Sequence, residues 1–314
     1  MRVLVTGCNG FVGSVMCARL SELGHTVIAW DNGARGLNDV SLLPHVTYKR
    51  LDLLKGDWPT IHRGWLDGIF HFAAGTGSLD RPLDELRVLN LSMTQKLFHW
   101  ALSLDVRVFV YPTTSLALGV PDSPYVISKE ETVAWLGEMA TSTPRIEQKL
   151  LLCRFFNVAG AYRGFTERRQ HEVHILPTLY AAHRDGKVFV INGHDYATVD
   201  GTPSRDFIHV LDVVDYLIYL TQRRLAGEQE ALQVHNIGTG IPTTTLQMAT
   251  LARQMLGQID VQYGPRRPYD TGELRCPDAA RVHAWRPLQG IEAIVRDELA
   301  ALMDAEEESV DGAA

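Results

Sequence analysis

Tyr125 and Lys129 stand four residues apart in a stretch patterned as a helix, so both side chains fall on one helical face. A tyrosine beside an ammonium is a proton carrier, because the positive charge favours the phenolate and lowers a pKa that is otherwise about 10. Just upstream, an apolar run ends in Pro112-Thr113-Thr114-Ser115, which puts hydroxyls at the carboxyl end of a predicted strand. A hydroxyl there can bond a substrate oxygen and share its proton with Tyr125. Tyr-x-x-x-Lys arises easily by chance; its place after the hydroxyl cluster gives it weight.

A second motif supplies a redox partner for such a proton carrier. Gly7-Cys8-Asn9-Gly10-Phe11-Val12-Gly13 is a G-x-x-G-x-x-G turn between a predicted strand and a predicted helix. Glycines belong there because a Cβ would block the turn, a pyrophosphate, or the packing of helix on sheet. The helix start at Phe11 and Val12 then offers free N–H groups and partial positive charge to phosphates. Asp31 closes the next strand, where a carboxylate binds a ribose 2′-hydroxyl and repels a 2′-phosphate. The pattern therefore favours NAD over NADP, although Arg35 in Asn32-Gly33-Ala34-Arg35 leaves the second open.

These groups need a scaffold that brings strand ends together. Short β-branched runs at 2–6, 26–30, 47–51, 68–72, 106–111 and 149–155 alternate with helical patterns near 11–23, 83–104 and 124–139. That alternation predicts an α/β fold, a doubly wound parallel sheet (Rossmann) with its ligand at the carboxyl ends of the strands. After Asn157 the rhythm loosens into helices near 175–184 and 244–256, a strand and helix at 206–223, a strand ending at Asn236, a Gly/Asp/Thr-rich loop at 192–204 and an irregular stretch at 264–286. The reading is a Rossmann domain at 1–157, then a smaller, loop-rich α/β substrate lobe at 158–303 with segments returning to the first domain. An acidic tail at 304–314 is expected to be disordered.

Composition narrows the partners. The chain of 314 residues carries a net charge of -7 and no basic cluster, which argues against nucleic acid or an anionic membrane surface. No apolar run is long enough to span a bilayer. Met1 and Arg2 lead straight into a strand, so no signal peptide is expected. Cys8, Cys17, Cys153 and Cys276 are scattered, which fits reduced thiols in a cytoplasmic protein. His171-Glu172-Val173-His174 offers metal-ligand types without a third partner, so no metal is expected.

With glycine turn, hydroxyl cluster and Tyr-Lys pair in order, the chain resembles the extended short-chain dehydrogenase/reductase superfamily. Residues 194–210, from His194-Asp195-Tyr196 through Ser204-Arg205-Asp206-Phe207-Ile208-His209-Val210, are similar to the long signature of UDP-glucose/UDP-galactose 4-epimerases. Arg154-Phe155-Phe156-Asn157, Asn236-Ile237-Gly238-Thr239-Gly240 and Pro265-Arg266-Arg267-Pro268-Tyr269-Asp270 resemble further blocks of that family. The resemblance runs from residue 1 to about 290.

It implies a homodimer that inverts C4 of a UDP-hexose through a transient 4-keto sugar, with NAD retained. Tyr125 is then the acid/base, Lys129 its activator and a ribose ligand, and Thr114 the catalytic hydroxyl. Gly7, Gly10, Phe11, Val12, Gly13, Asp31, Asn32, Asp52, Leu53, Phe72, Ala73, Ala74, Asn90 and Phe156 fall at cofactor positions. Asn157, His174, Arg205, Arg267 and Asp270 fall where the family holds the nucleotide sugar.

The chain departs from the family in three places. Only five residues separate Gly119 from Tyr125, Thr76 stands where a lysine is common, and Leu274 occupies the position that screens the C2 substituent. A 4,6-dehydratase would need an acidic pair after Thr114, where Ser115 and Leu116 stand instead. A nucleotide-ketosugar reductase and a non-catalytic NAD-binding scaffold or sensor remain open alternatives.

Overall fold

The computed structural model describes residues 1–76, 81–142, 150–168, 174–228, 232–267, 270–277 and 285–311, without the side chains from 308 onward. The chain divides into two compact units. The first is Met1–Ala117, Pro121–Arg154 and Val214–His235; the second is Leu118–Val120, Phe155–Val213 and Asn236–Ala314.

The first unit opens with β1 (Arg2–Thr6), α1 (Phe11–Glu22), β2 (Thr26–Asp31), β3 (Val46–Arg50) and β4 (Gly68–His71). Next come α2 (Leu83–Arg87), a π-helical turn (Val88–Ser92), α3 (Met93–Ser103), β5 (Val108–Thr114), α4 (Pro124–Ser142) and β6 (Leu150–Phe155). The sheet runs β10-β6-β5-β4-β1-β2-β3, where β10 is Val234–Ile237. Its β1·β2, β2·β3, β1·β4 and β4·β5 pairs are parallel. Strand order reverses between β1 and β4, and this switch point is where such sheets open a crevice for ligands.

All seven residues of β5 are buried, which suits an inner strand covered on both faces. Its ladder with β4 ends at Val110, so Pro112 costs no bond on that side. The strand starts later than residue 106 because the Val106 N–H closes the end of α3 on the Ala101 carbonyl. One core joins Leu4, Trp30, Ile69, Leu97, Phe98, Phe109, Leu136 and Leu152. Trp58 and Trp100 pack against that core at Trp30, the three rings contacting one another with centroids 5.2 to 6.3 Å apart.

The second unit contains β7 (Asn157–Ala159), α5 (Ile175–Arg184), β8 (Phe189–Asn192) and β9 (Ser204–His209). The helix α6 (Val210–Leu225) carries the chain back into the first unit. After β10 follow β11 (Pro242–Thr244), α7 (Thr245–Leu256), β12 (Val261–Gly264), β13 (Glu273–Leu274) and α8 (Ile291–Asp311). Three strands, β7, β11 and β13, pair with β9, while β12 pairs with β8. Its core gathers Leu176, Leu179, Ile191, Met248, Ala252, Ile294, Val295 and Leu299.

The tail expected to be disordered from Asp304 is helical through Asp311, while 312–314 lie outside the described residues. Apolar residues of α8 dock in that core, and Glu306 meets Tyr180 Oη and Arg184 on α5. Lys149 of the sixth expected strand lies outside the described residues.

Candidate active site

Gly7 follows β1 with φ +70°, and a Cβ on it would stand 2.6 Å from the Ala73 nitrogen in the segment after β4. A Cβ on Gly13 would stand 2.1 Å from the Gly7 carbonyl. Only glycine lets the two strand ends at the switch point and the helix come this close. Gly10 caps α1 without a side-chain bond and no acid occupies the first turn. Its leading N–H groups, at Phe11, Val12 and Gly13, suit a diphosphate.

Asp31 is oriented by two backbone donors, Asn9 N–H at 3.1 Å and Gly33 N–H at 2.8 Å. Its remaining lone pairs can take a ribose diol. Asn32 receives the Arg50 guanidinium on its carbonyl at 3.2 Å, and Arg35 contacts Thr76 Oγ1 at 3.3 Å. Asp52 accepts the Leu54 N–H, and Leu53 is buried in the core. Phe72, Ala73 and Ala74 follow β4 half-buried. These features together fit a dinucleotide.

In the first turn of α4, Tyr125 is half-buried and its carbonyl accepts from Ser128 Oγ at 2.8 Å. Lys129 is buried, donates to the Pro112 carbonyl at 3.0 Å and lies 4.6 Å from the Tyr111 ring centroid. Removal from water pushes its pKa down to about 7. Thr114, buried at the end of β5, accepts the Leu116 N–H. The neighbouring Thr113 donates to Glu130, which also faces Arg154 at 3.6 Å.

Asn90, expected beside a cofactor, sits buried in the π-helical turn. Its amide receives the Gly75 N–H and donates to the Gly75 carbonyl and to Ser128 Oγ.

The second unit holds the other candidates. Asn157 starts β7 opposite Phe207, and Phe156 packs with Leu274 and Cys276. Arg205 on β9 contacts Asp270 and donates to the carbonyls of Ser204 and Thr271 at 2.8 and 2.9 Å. With its amide oxygen facing the guanidinium, Asn192 accepts from Nε and Nη2 of Arg267, both at 3.0 Å. His174 caps α5 and touches Glu167 through Nδ1. Two arginines, each fixed by a planar partner, suit a diphosphate. His171, Glu172, Val173, Pro268 and Tyr269 lie outside the described residues.

Sequence reasoning passed over several supports. Asn192 orients Arg267. Asp206 is fully buried and accepts four bonds, from Thr239 N–H and Oγ1, Gly240 N–H and Cys276 N–H. His71 is buried between two threonines. The density of polar residues around the 238–240 glycine turn was the available signal for Asp206; nothing local marked His71.

A Rossmann sheet with this glycine turn, a carboxylate closing β2 and a Tyr-x-x-x-Lys helix places the chain in the extended short-chain dehydrogenase/reductase class. Residues 3–238 match the NAD dependent epimerase/dehydratase family, and the chain belongs to that family. A UDP-glucose 4-epimerase of Rhizobium meliloti is 30% identical, over 93% of this chain and 94% of the relative. One of Corynebacterium glutamicum is 29% identical over 87% and 86%. Among solved structures, a UDP-glucose-4-epimerase from Stenotrophomonas maltophila, with bound NAD and formylated UDP-arabinopyranose, superposes with a TM-score of 0.85. It is 22% identical, covering 98% of this chain and 99% of the other, and likeness at that level speaks for the fold.

Proposed function

We propose that the chain is an NAD-dependent UDP-hexose 4-epimerase, acting as a homodimer in the cytoplasm. The observation that carries the reading is the pairing of a built dinucleotide cradle with Tyr125-x-x-x-Lys129 in a member of this family. Bound NAD supplies a hydride acceptor that is restored within the turnover. Tyr125 takes the O4 proton of the sugar as hydride leaves C4, and Thr114 bonds the same oxygen. Lys129 biases Tyr125 toward the phenolate whenever it carries its charge. Asn157, His174, Arg205, Arg267 and Asp270 hold the UDP part, so the 4-keto sugar turns about its diphosphate linkage and hydride returns to the other face.

No helix among the described residues is long and apolar enough to cross a membrane. The test is incubation with UDP-glucose, UDP-N-acetylglucosamine and UDP-glucuronate without added NAD. C4-inverted product with no net cofactor consumption is expected from at least one of them. Tyr125→Phe should lower kcat by about a hundredfold or more. If every UDP-sugar is returned unchanged, the reading fails; net oxidation of reduced nicotinamide would identify a reductase instead.

A further inference from the structure

Buried polar groups of the first unit form two sets of hydrogen bonds that meet at Asn90, behind the segment that follows β4. His71 ends β4 between two hydroxyls, with Thr6 Oγ1 2.7 Å from Nδ1 and Thr94 Oγ1 3.0 Å from Nε2. The far end fixes the direction. Thr94 donates its only proton to the Asn90 carbonyl, so it accepts from His71. Nε2 therefore carries the proton, and Nδ1 accepts from Thr6, whose oxygen receives the Ala73 N–H at 3.4 Å.

That first set ends on the Asn90 backbone carbonyl, and the side chain of the same residue starts the second. The Asn90 amide clamps Gly75 through its N–H at 2.7 Å and its carbonyl at 3.2 Å, and donates to Ser128 Oγ at 2.9 Å. Ser128 donates in turn to the Tyr125 carbonyl at 2.8 Å. Through Asn90 the two sets thus join β1, β4, the 73–75 segment and the first turn of α4.

A second proton on His71 would make Nδ1 a donor and take away the acceptor of the Thr6 hydroxyl. Phe109 and Tyr111 rings flank the imidazole at 5.9 and 6.1 Å, and among the described residues the one charge shifting its titration is that of Lys129. Burial, with the Lys129 charge second, holds the pKa down to about 3, so the ring stays neutral.

We propose that His71 is a positioning residue which, as the neutral Nε2–H tautomer, sets the spacing between the 73–75 wall of the cofactor cradle and the helical turn that carries Tyr125. The proposal rests on the epimerase reading for the reaction it tunes, but not for its effect on NAD binding.

Three variants test it, assayed for turnover with NAD bound and titrated with NAD after the cofactor has been removed. His71→Asn keeps the Thr6 contact and loses that of Thr94, Thr94→Val removes the hydroxyl, and Thr94→Ser restores it. With UDP-glucose, kcat should fall about 10- to 100-fold in His71→Asn and Thr94→Val, with KM changed less than about twofold. Their calorimetric Kd for NAD should rise about tenfold, while Thr94→Ser stays within about threefold of wild type. The imidazole 15N resonances of His71, assigned in the wild-type protein by correlation to its own backbone, should be those of the Nε2–H tautomer and should not move between about pH 8 and pH 5.

A titrating His71 or an Nδ1–H tautomer overturns the proposal, as does a loss confined to Tm with kcat and NAD affinity intact. If the variants do not fold, the wild-type tautomer decides. If the wild-type enzyme inverts no UDP-sugar, the epimerase reading fails, while NAD affinity and tautomer still decide for His71.

Discussion

Lys129 has left water for one carbonyl and the face of one ring, and burial has taken its pKa from an ordinary 10.5 down to about 7. Between those two values the unfolded chain binds more protons than the folded one. Lys129's contribution is therefore present above about pH 10.5 and lost as pH falls through about 7, so stability climbs with pH across that window. Lys129→Met, compared at equal NAD content, should raise Tm at pH 7 by about 5 °C and flatten the climb. Its kcat should fall about 100-fold or more, so a variant that is both less stable and fully active would refute the assignment. Tyr125 and Lys129 were legible because their relation is four residues long. His71 was not, because Thr6 lies 65 positions away and Thr94 lies 23, and no local pattern encodes such a contact.

Secondary-structure elements fix these groups through their ends more than through their middles. A methyl at Gly13 would press into the Gly7 carbonyl and drive α1 off the sheet, whereas one at Gly10 meets that carbonyl only at 3.2 Å. Gly13→Ala should therefore lose folding and NAD together. Gly10→Ala should keep wild-type Tm within about 2 °C yet retain NAD about tenfold less tightly, as read from cofactor content after purification. Equal loss of fold in both would show that the turn is limited by backbone conformation alone. The main strands and helices of the first unit were legible from alternating patterns. The continuous helix expected over 83–104 instead carries a π-helical turn at Val88–Ser92, where Asn90 turns inward to Gly75. The acidic composition after Asp304 hid the helix, because its anchors Ile294, Val295 and Leu299 lie upstream of the tail.

Across the whole molecule, the doubly wound sheet was readable from composition and rhythm. The two- and three-residue strands around β9 were not, since strands so short carry no period. The second unit also conceals a carboxyl with wide reach. Glu298 on α8 is buried and accepts the Gly160 N–H just beyond β7 at 2.6 Å, 138 residues away. Burial, with Glu167 adding to it, lifts its pKa from 4.5 to about 8. The folded state then binds more protons than the unfolded state over that interval. Glu298's contribution is present below about pH 4.5 and gone above about pH 8, so stability falls as pH rises between them. In Glu298→Gln the fall should be shallower, with Tm at pH 9 about 5 °C above wild type. Parallel melting curves for the two proteins across pH 5 to 9 would rule this out.

The tryptophan triad has a use of a different kind. Trp30 lends its carbonyl to the Gly7 N–H at 2.8 Å and is followed directly by Asp31, so its backbone adjoins the dinucleotide cradle while its ring lies in the core. Trp30, Trp58, Trp65, Trp100 and Trp135 all belong to the first unit, and Trp285 alone to the second. Indole emission overlaps the absorption of reduced nicotinamide but not that of the oxidised form. Light absorbed by this cluster would therefore pass to a bound cofactor only in its reduced form, and the protein's own emission would gauge how often a turnover is left half finished.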